Sequence, residues 1–228
     1  MGGCNDGRPC QWADHGPAGA ALGVTTPTKA LHATERDTAR VQQARAADHA
    51  LIEPGALQRC KFGDASGVNL AMTRRFGRAP RGARVIGAVP QNYGAHLTMM
   101  AALSLHGIEA VMTIAGATAA EVFHADTAQV LGPTLRPGDI VVMANLSAHQ
   151  LAPLREGIEG CGAQLLYLPP YSPDLAPIER AWSKIKPCLR AAQARTREAL
   201  EMAIRQVLTT ITAGDAHGWF IPCGYPLP

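Results

Sequence analysis

Two carboxylates at distant points in the sequence have the chemistry needed for metal-dependent phosphoryl transfer. Asp64 is predicted at the end of a strand, and Glu179 in the first turn of a helix that follows "LPPYSPDLAP" (168–177). Breaking or joining a phosphodiester uses two divalent ions about 4 Å apart, which stabilise the attacking and leaving oxygens. Because Mg²⁺ prefers hard oxygen ligands, carboxylates from different elements must converge to hold it. Asp64 and Glu179 are therefore candidate catalytic residues and metal ligands.

Apolar runs and turn signals predict the elements that position these carboxylates. The run "GDIVVMA" (138–144) follows a Pro-Gly turn and predicts a central strand that is buried on both faces. Pro177 suits the first turn of the helix that carries Glu179, because its missing N–H would have no partner there. This mixture of strands and helices predicts an α/β fold, with a mixed β-sheet flanked by helices. Further strands are predicted at 57–67, 84–90, 96–107, 108–116 and 164–169, with a hairpin turn at His106-Gly107, and helices at 118–133 and around 151–158 and 200–211.

The sequence around both carboxylates resembles a known family. "GDIVVMANLSAH" (138–149), followed by "LPPYSPDLAPIERAWSKIK" (168–186), resembles bacterial insertion-sequence transposases of the mariner-related superfamily. The resemblance extends over about residues 29–225. It implies a DDE catalytic domain of ribonuclease-H-like fold that cleaves and transfers DNA strands. It also implies two Mg²⁺ or Mn²⁺ ions, held by a strand-end Asp, a second strand-end Asp and a helical Glu.

The position that the resemblance assigns to the second aspartate is alanine. The first ligand maps onto Asp64 and the third onto Glu179, and the family's spacing of 34 intervening residues places the second at Ala144. A methyl group cannot coordinate Mg²⁺, and the neighbouring Asn145 is expected to point to the opposite face of the strand. We therefore predict that strand cleavage is lost or slowed by several orders of magnitude. Two further departures from the family are Lys61 in a strand that should be buried and Pro187 inside the Glu179 helix.

Basic residues are concentrated in two stretches that contain no acid. The net charge is only +3, but Arg74–Arg84 contains five arginines and Arg180–Arg197 contains six bases. Such stretches predict a surface that binds a polyanion, here DNA at element ends and at the target, although ordinary solvated faces are the alternative. The candidate DNA-binding residues are Arg74, Arg75, Arg78, Arg81, Arg84, Lys184, Lys186 and Arg190.

The domain organisation predicted from composition is one catalytic domain with an amino-terminal extension. Residues 1–50 are predicted to be a poorly structured or helical remnant or linker, and residues 51–228 to form the catalytic domain. Residues 1–28 carry no helix-turn-helix pattern, so the chain is expected to be a truncated transposase. A cytoplasmic, nucleoid-associated location in a bacterium is predicted, because no secretory signal, membrane span or Cys-x-x-Cys pair is visible. The chain is also predicted to associate with copies of itself as a homo-oligomer.

Three hypotheses about function remain open at this point. The first is a transposase catalytic domain that Ala144 has inactivated. The second is a non-catalytic DNA-binding remnant or regulator of an intact transposase, which needs the basic stretches but no metal ions. The third is a pseudogene product with no selected role.

Overall fold

A computed structural model describes residues 32–52, 54–116, 127–145, 152–225 and 227. The five strands of its sheet are β1 (Cys60–Asn69), β2 (His96–Ser104), β3 (Gly107–Ala115), β4 (Ile140–Met143) and β5 (Gln164–Tyr167). The α-helices of the described residues are α1 (Ala39–Leu51), α2 (Ala152–Gly160), α3 (Pro177–Ala192), α4 (Arg197–Leu208) and α5 (Ala213–Phe220). Short 3-10 turns lie at Thr34–Asp37, Pro54–Arg59, Gly132–Thr134, Pro173–Leu175 and Ile221–Cys223, and a π-helical turn at Thr127–Leu131.

The strands form one mixed sheet in the order β3-β2-β1-β4-β5. The hairpin β2–β3 and the pair β1–β2 are antiparallel, whereas β4 runs parallel to both β1 and β5. All four residues of β4 are buried, as its continuous apolar sequence predicts for a strand covered on both faces. The predicted turn at His106-Gly107 is confirmed, and Gly107 takes a φ of 115° that a residue with a side chain rarely adopts.

Helices cover both faces of the sheet. On one face, α3, α4 and α5 pack against β1 and β2 in the larger apolar core, to which Trp182, Ile204 and Phe220 belong. On the other face, Leu154 and Ile158 of α2 pack with apolar residues of β4 and β5. The apolar residues of α3 follow a helical period, which is why this helix forms and docks on the sheet: Ile178, Ala181, Trp182, Ile185 and Leu189 are all buried. Among the helices that the structure describes, none is long and apolar enough to cross a membrane.

Some predicted elements differ from the observed ones. The predicted strand at 84–90 is wrong: residues 71–95 are described throughout and form no helix or strand, and the side chain of Ile86 is 92% exposed. A run of apolar residues forms a strand only where a neighbouring strand pairs with it, and here β1 and β2 pair directly with each other. Of the predicted helix at 118–133, residues 118–126 lie outside the described part, as do residues 1–28.

The strand β1 continues past Asp64, so the prediction that Asp64 ends it is wrong. Its parallel pairing with β4 stops at Gly63, opposite Met143. Its antiparallel pairing with β2 continues through Asp64, opposite Ala101, and reaches Asn69. Asp64 therefore lies where β1 leaves β4, at the carboxyl end of the parallel ladder.

Lys61 is buried in β1 and is surrounded by acceptors. Its ammonium group donates hydrogen bonds to the Glu109 carboxylate and, at 2.7 Å, to the carbonyl oxygen of Thr134, and it lies 3.6 Å from Asp139 Oδ2. Burial acts to raise the pKa of Glu109, yet hydrogen bonds from Lys61 and Ser104 hold it below its ordinary value of 4.5. The charge that interrupts the apolar sequence of β1 is therefore compensated inside the fold, and the side chain does not reach out to solvent.

We expect Lys61→Met to lower the free energy of unfolding by about 2–3 kcal/mol at pH 7, because two part-buried carboxylates lose their counter-charge. Denaturation by urea measures this. Because the pKa of Glu109 is lowered in the folded state, its contribution is present above its ordinary value of 4.5 and is lost as the pH falls through the lowered pKa. The difference in free energy of unfolding between the unmodified chain and Lys61→Met should therefore become smaller in acid.

The matched control is Arg155→Met, which removes an exposed ion pair of 2.8 Å with Glu159. It should change the free energy of unfolding by less than about 0.5 kcal/mol. Equal effects of the two substitutions would contradict the buried network.

Candidate active site

A cavity of about 460 Å³ opens at the carboxyl end of the parallel β1–β4 ladder. Its wall includes Asp64, Ala144 and Glu179, three positions that lie far apart in the sequence. The remaining lining residues are Arg40, Phe62, Gly63, Val142, Asn145, Leu168, Pro169, Pro170, Tyr171, Ser172, Pro173, Ala176 and Ile178. The structure therefore brings together the two predicted carboxylates and the alanine that stands at the third predicted position.

The parallel pairing of β1 and β4 places Asp64 beside Ala144. Gly63 and Met143 are the last partners in this ladder, and Asp64 and Ala144 each follow by one residue. Neighbouring strands lie about 4.8 Å apart, and residues in register on parallel strands share a face of the sheet. Asp64 and Ala144 both line the cavity, so a carboxylate at position 144 would belong to the same cavity wall as Asp64.

Glu179 reaches the cavity from the first turn of α3, which begins at Pro177 as predicted. Its backbone N–H donates to the carbonyl oxygen of Ala176 at 3.1 Å. The preceding proline-rich segment is fixed at both ends: Leu168 N–H donates to Met143 O at 2.9 Å, and Tyr225 Oη donates to Leu175 O at 2.9 Å. The helix nevertheless continues through Pro187 to Ala192.

The carboxylates of the cavity affect each other's charge. Partial burial of its carboxyl group and then the negative charge of Asp64 raise the pKa of Glu179, while Lys186 acts weakly in the opposite direction. Asp64 Oδ2 accepts a hydrogen bond of 2.9 Å from the indole N–H of Trp182, which lies on the same helix as Glu179. Asp64 and Glu179 are thus both positioned by contacts of α3 with β1.

Two other oxygen-bearing side chains, those of Asn145 and Asp139, lie just beyond the two ends of β4. Asn145 lines the cavity together with Ala144. Both residues follow the end of β4 at Met143, so the prediction from strand alternation is not tested by the register of the sheet. Asp139 is engaged with Lys61 at the far end of β4. Within the described ranges, no group of three or more His, Cys, Asp or Glu side chains could hold a metal ion.

Comparison with known proteins places this site in a family. The model of the DDE superfamily endonucleases matches residues 59–201, which is more than half of the chain. The chain belongs to this family. No protein with a curated description matches its sequence.

Solved structures of Mos1 mariner transposase share the fold of this DDE endonuclease domain. The Mos1 paired-end complex with left transposon end has a TM-score of 0.69 and 16% identity, and the match covers 90% of this chain and 64% of that chain. The Mos1 paired end complex with Mg gives 0.67 and 15% identity, covering 90% and 66%. The catalytic domain of Mos1 gives 0.58 and 14%, covering 85% and 89%. The fold is therefore ribonuclease-H-like, and the chain spans less than two thirds of the length of the Mos1 chain in the first of these complexes.

The described segment that precedes the family match is attached to the proline-rich segment. Arg45 donates to both carboxylate oxygens of Asp174, at 3.0 and 2.7 Å, and Arg36 donates to one of them at 3.2 Å. Partial burial acts to raise the pKa of Asp174, but the hydrogen bonds and charge of Arg45 and the charge of Arg36 lower it overall. Asp174 is therefore paired with two arginines. The helix α1 lies in the stretch predicted to be poorly structured or helical, and it places Arg40 on the cavity wall.

The two basic stretches of the DDE domain meet in the structure. Arg195 donates to Leu70 O at 2.7 Å, Met72 O at 3.0 Å and Thr73 Oγ1 at 3.0 Å, which holds the start of segment 71–95 against the turn after α3. Burial and then the nearby positive charge of Arg75 lower the pKa of Arg190. The arginines predicted to contact DNA in this segment are exposed: Arg74, Arg75, Arg78, Arg81 and Arg84.

Lys184 and Lys186, which are also predicted to contact DNA, lie in different surroundings. Lys184 donates to Asp215 Oδ2 at 2.7 Å and to Thr210 O at 3.1 Å, so its charge is already compensated within the protein. Lys186 lies close enough to Glu179 to lower its pKa, which places a positive charge near the cavity.

Sequence reasoning missed two features of this site. The contact of Trp182 with Asp64 was not predicted, although the spacing of Glu179 and Trp182 by three residues on one helix indicates that they share a face. Sequence reasoning also missed the contacts of Arg36 and Arg45 with Asp174, because they join segments separated by more than 120 residues and have no local signature.

Proposed function

We propose that this chain is the catalytic domain of a bacterial insertion-sequence transposase whose metal site has lost one of three carboxylates. The observation that carries the proposal is the shared cavity of Asp64, Ala144 and Glu179. Its support is the family membership together with the parallel pairing of β1 and β4, which ends one residue before both Asp64 and Ala144. Residues 51–228 are proposed as the catalytic domain and residues 1–50 as a linker.

The residues of the cavity fit one divalent cation. Asp64 and Glu179 supply carboxylate oxygens, the ligands that Mg²⁺ and Mn²⁺ accept. Burial and then the charge of Asp64 raise the pKa of Glu179, and a bound cation would favour its ionised form. A second cation would need a further carboxylate, which alanine at position 144 does not supply. Structures of the Mos1 paired end complex with Mg and with Mn support the choice of metals. When two ions are bound, such a site stabilises the attacking and leaving oxygens of a phosphodiester.

The proposed substrate is DNA, at the ends of a mobile element and at a target. Exposed arginines in segment 71–95 and Arg190 of α3 provide positive charge beside one another, which suits the phosphate backbone and carries no sequence information. Mos1 was solved as a transpososome and as a strand transfer complex, which supports DNA as the partner. A homo-oligomer is proposed as the working form. A DNA-bound enzyme of this kind would work in the bacterial cytoplasm, on the nucleoid.

The test is nicking of supercoiled plasmid DNA in Mn²⁺. We expect no cleavage by the unmodified chain and measurable cleavage by Ala144→Asp, because only the variant has three carboxylates in the cavity. Adding Glu179→Gln to Ala144→Asp should abolish the cleavage again, and Ala144→Asn should remain inactive. Cleavage by the unmodified chain that survives Glu179→Gln would contradict the proposal.

A second function is favoured by the same alanine together with the adjoining basic stretches. A DNA-binding regulator of an intact transposase needs Arg75, Arg190 and their neighbours, but it needs no metal ion. Under this alternative, the affinity for DNA in EDTA should equal that in Mg²⁺, and Ala144→Asp should not produce cleavage.

A further inference from the structure

We propose that Trp182 is a positioning residue, which fixes the orientation of the Asp64 carboxylate through its indole N–H. The inference rests on the proposed function, since it takes Asp64 to be a metal ligand. Trp182 would then orient a metal ligand in addition to packing in the core. The helix α3 would position both carboxylates of the site, because it carries Glu179 and Trp182.

The geometry of the contact is that of a directed hydrogen bond. Trp182 Nε1 lies 2.9 Å from Asp64 Oδ2, a normal distance for an N–H donor and a charged acceptor. The indole N–H is a donor only, and its direction is set by the ring, which cannot rotate to a new partner as a hydroxyl can. The ring itself is fixed, because Trp182 is only 3% exposed and belongs to the larger apolar core.

The position of Trp182 on α3 connects the two acids. Glu179 and Trp182 are three residues apart in the helix, so both side chains project towards β1 from the same face. Glu179 reaches the cavity directly, and Trp182 holds Asp64 from the adjacent turn. The docking of one helix therefore sets the position of one carboxylate and the orientation of the other.

The consequence for a metal ion concerns the coordinating oxygens of Asp64. A carboxylate with one oxygen held by a donor presents its remaining lone pairs in a defined direction, and hydrogen-bonded ligands of this kind typically bind metal ions 10–100-fold more tightly. A phenyl ring at position 182 would retain most of the apolar packing and lose the donor. Packing and positioning can thus be separated by experiment.

The first measurement is calorimetric titration of Mn²⁺ into Ala144→Asp, with and without Trp182→Phe. We expect Trp182→Phe to weaken Mn²⁺ binding at least tenfold. The matched control is Trp219→Phe, which removes a partly buried indole of α5 that packs against the same core. It should lower the melting temperature of the protein without changing Mn²⁺ affinity. Unchanged affinity in Trp182→Phe would overturn the proposal and leave Trp182 as a packing residue.

Two further experiments decide the question if Trp182→Phe does not fold or if Ala144→Asp does not bind Mn²⁺. Benzothienylalanine at position 182 keeps the shape of the ring and removes only the donor, so it should weaken Mn²⁺ binding as Trp182→Phe does. In the unmodified chain, the indole N–H resonance of Trp182 should shift and exchange faster with solvent in Asp64→Ala, while that of Trp219 stays in place. An unshifted Trp182 resonance would refute the hydrogen bond. Failure of Ala144→Asp to bind Mn²⁺, with the resonance shifted, would instead refute the proposed function.

Discussion

Restoring a carboxylate at position 144 should create a two-metal site: titration of Mn²⁺ into Ala144→Asp is expected to show two binding events. The unmodified chain should show at most one weak event, from Asp64 and Glu179. The reason is the register of the sheet, in which Asp64 and Ala144 each follow the Gly63–Met143 pair by one residue. A side chain at 144 faces the same cavity, so no rearrangement of the backbone is needed. Cleavage of DNA should rise by at least about 10²-fold, the scale of restoring a preorganised electrostatic group.

The controls for this prediction separate charge from size. Ala144→Asn adds an amide of nearly the same volume and should not restore the second event, because a neutral oxygen is a weak ligand for Mg²⁺ or Mn²⁺. Combining Ala144→Asp with Asp64→Asn should remove it again. Identical titrations of the unmodified chain and Ala144→Asp would mean that another group, for instance Asn145 on the cavity wall, already supplies the ligand.

Replacing the arginines of segment 71–95 with glutamine should weaken binding to duplex DNA by about 10²–10³-fold at moderate salt. Each phosphate contact that is lost also reduces the dependence of the logarithm of affinity on the logarithm of salt concentration by about 0.9. The five side chains are exposed, and Arg75 lies near Arg190, so their charges are available to a phosphate backbone. Fluorescence anisotropy at several salt concentrations measures both quantities. The substituted residues are Arg74, Arg75, Arg78, Arg81 and Arg84.

The matched control uses arginines that are already paired with an acid. Arg155 and Arg197 lie 2.8 Å from Glu159 and Glu201 respectively, so replacing both with glutamine should leave the salt dependence nearly unchanged. An equal loss in this control, or an unchanged salt dependence in the arginine-to-glutamine variant, would show that segment 71–95 does not contact the phosphates.

The sequence determined those features that depend on neighbouring residues. Pro177 predicts the start of α3 because an N–H in the first helical turn has no acceptor within the helix, and the structure begins α3 there. The apolar run of β4 predicts burial on both faces, and all four residues are buried. The helical spacing of Leu200, Ile204 and Val207 predicts the apolar face of α4, and these side chains are buried. Each of these signals lies within one element, so it can be read without knowing what packs against it.

Contacts between distant segments were decided only by the tertiary structure. The hydrogen bond from Trp182 to Asp64 joins residues 118 positions apart, and the ion pair of Arg45 with Asp174 joins residues 129 apart. The charge of Lys61 is compensated by Glu109 of β3 and by Asp139, which immediately precedes β4. Ile86 is exposed because β1 and β2 pair directly with each other and leave its segment outside the sheet. The physical reason is that a local pattern fixes backbone conformation and the buried face, whereas the partner of a polar side chain is set by sheet register and helix docking, which emerge only when the whole core has packed.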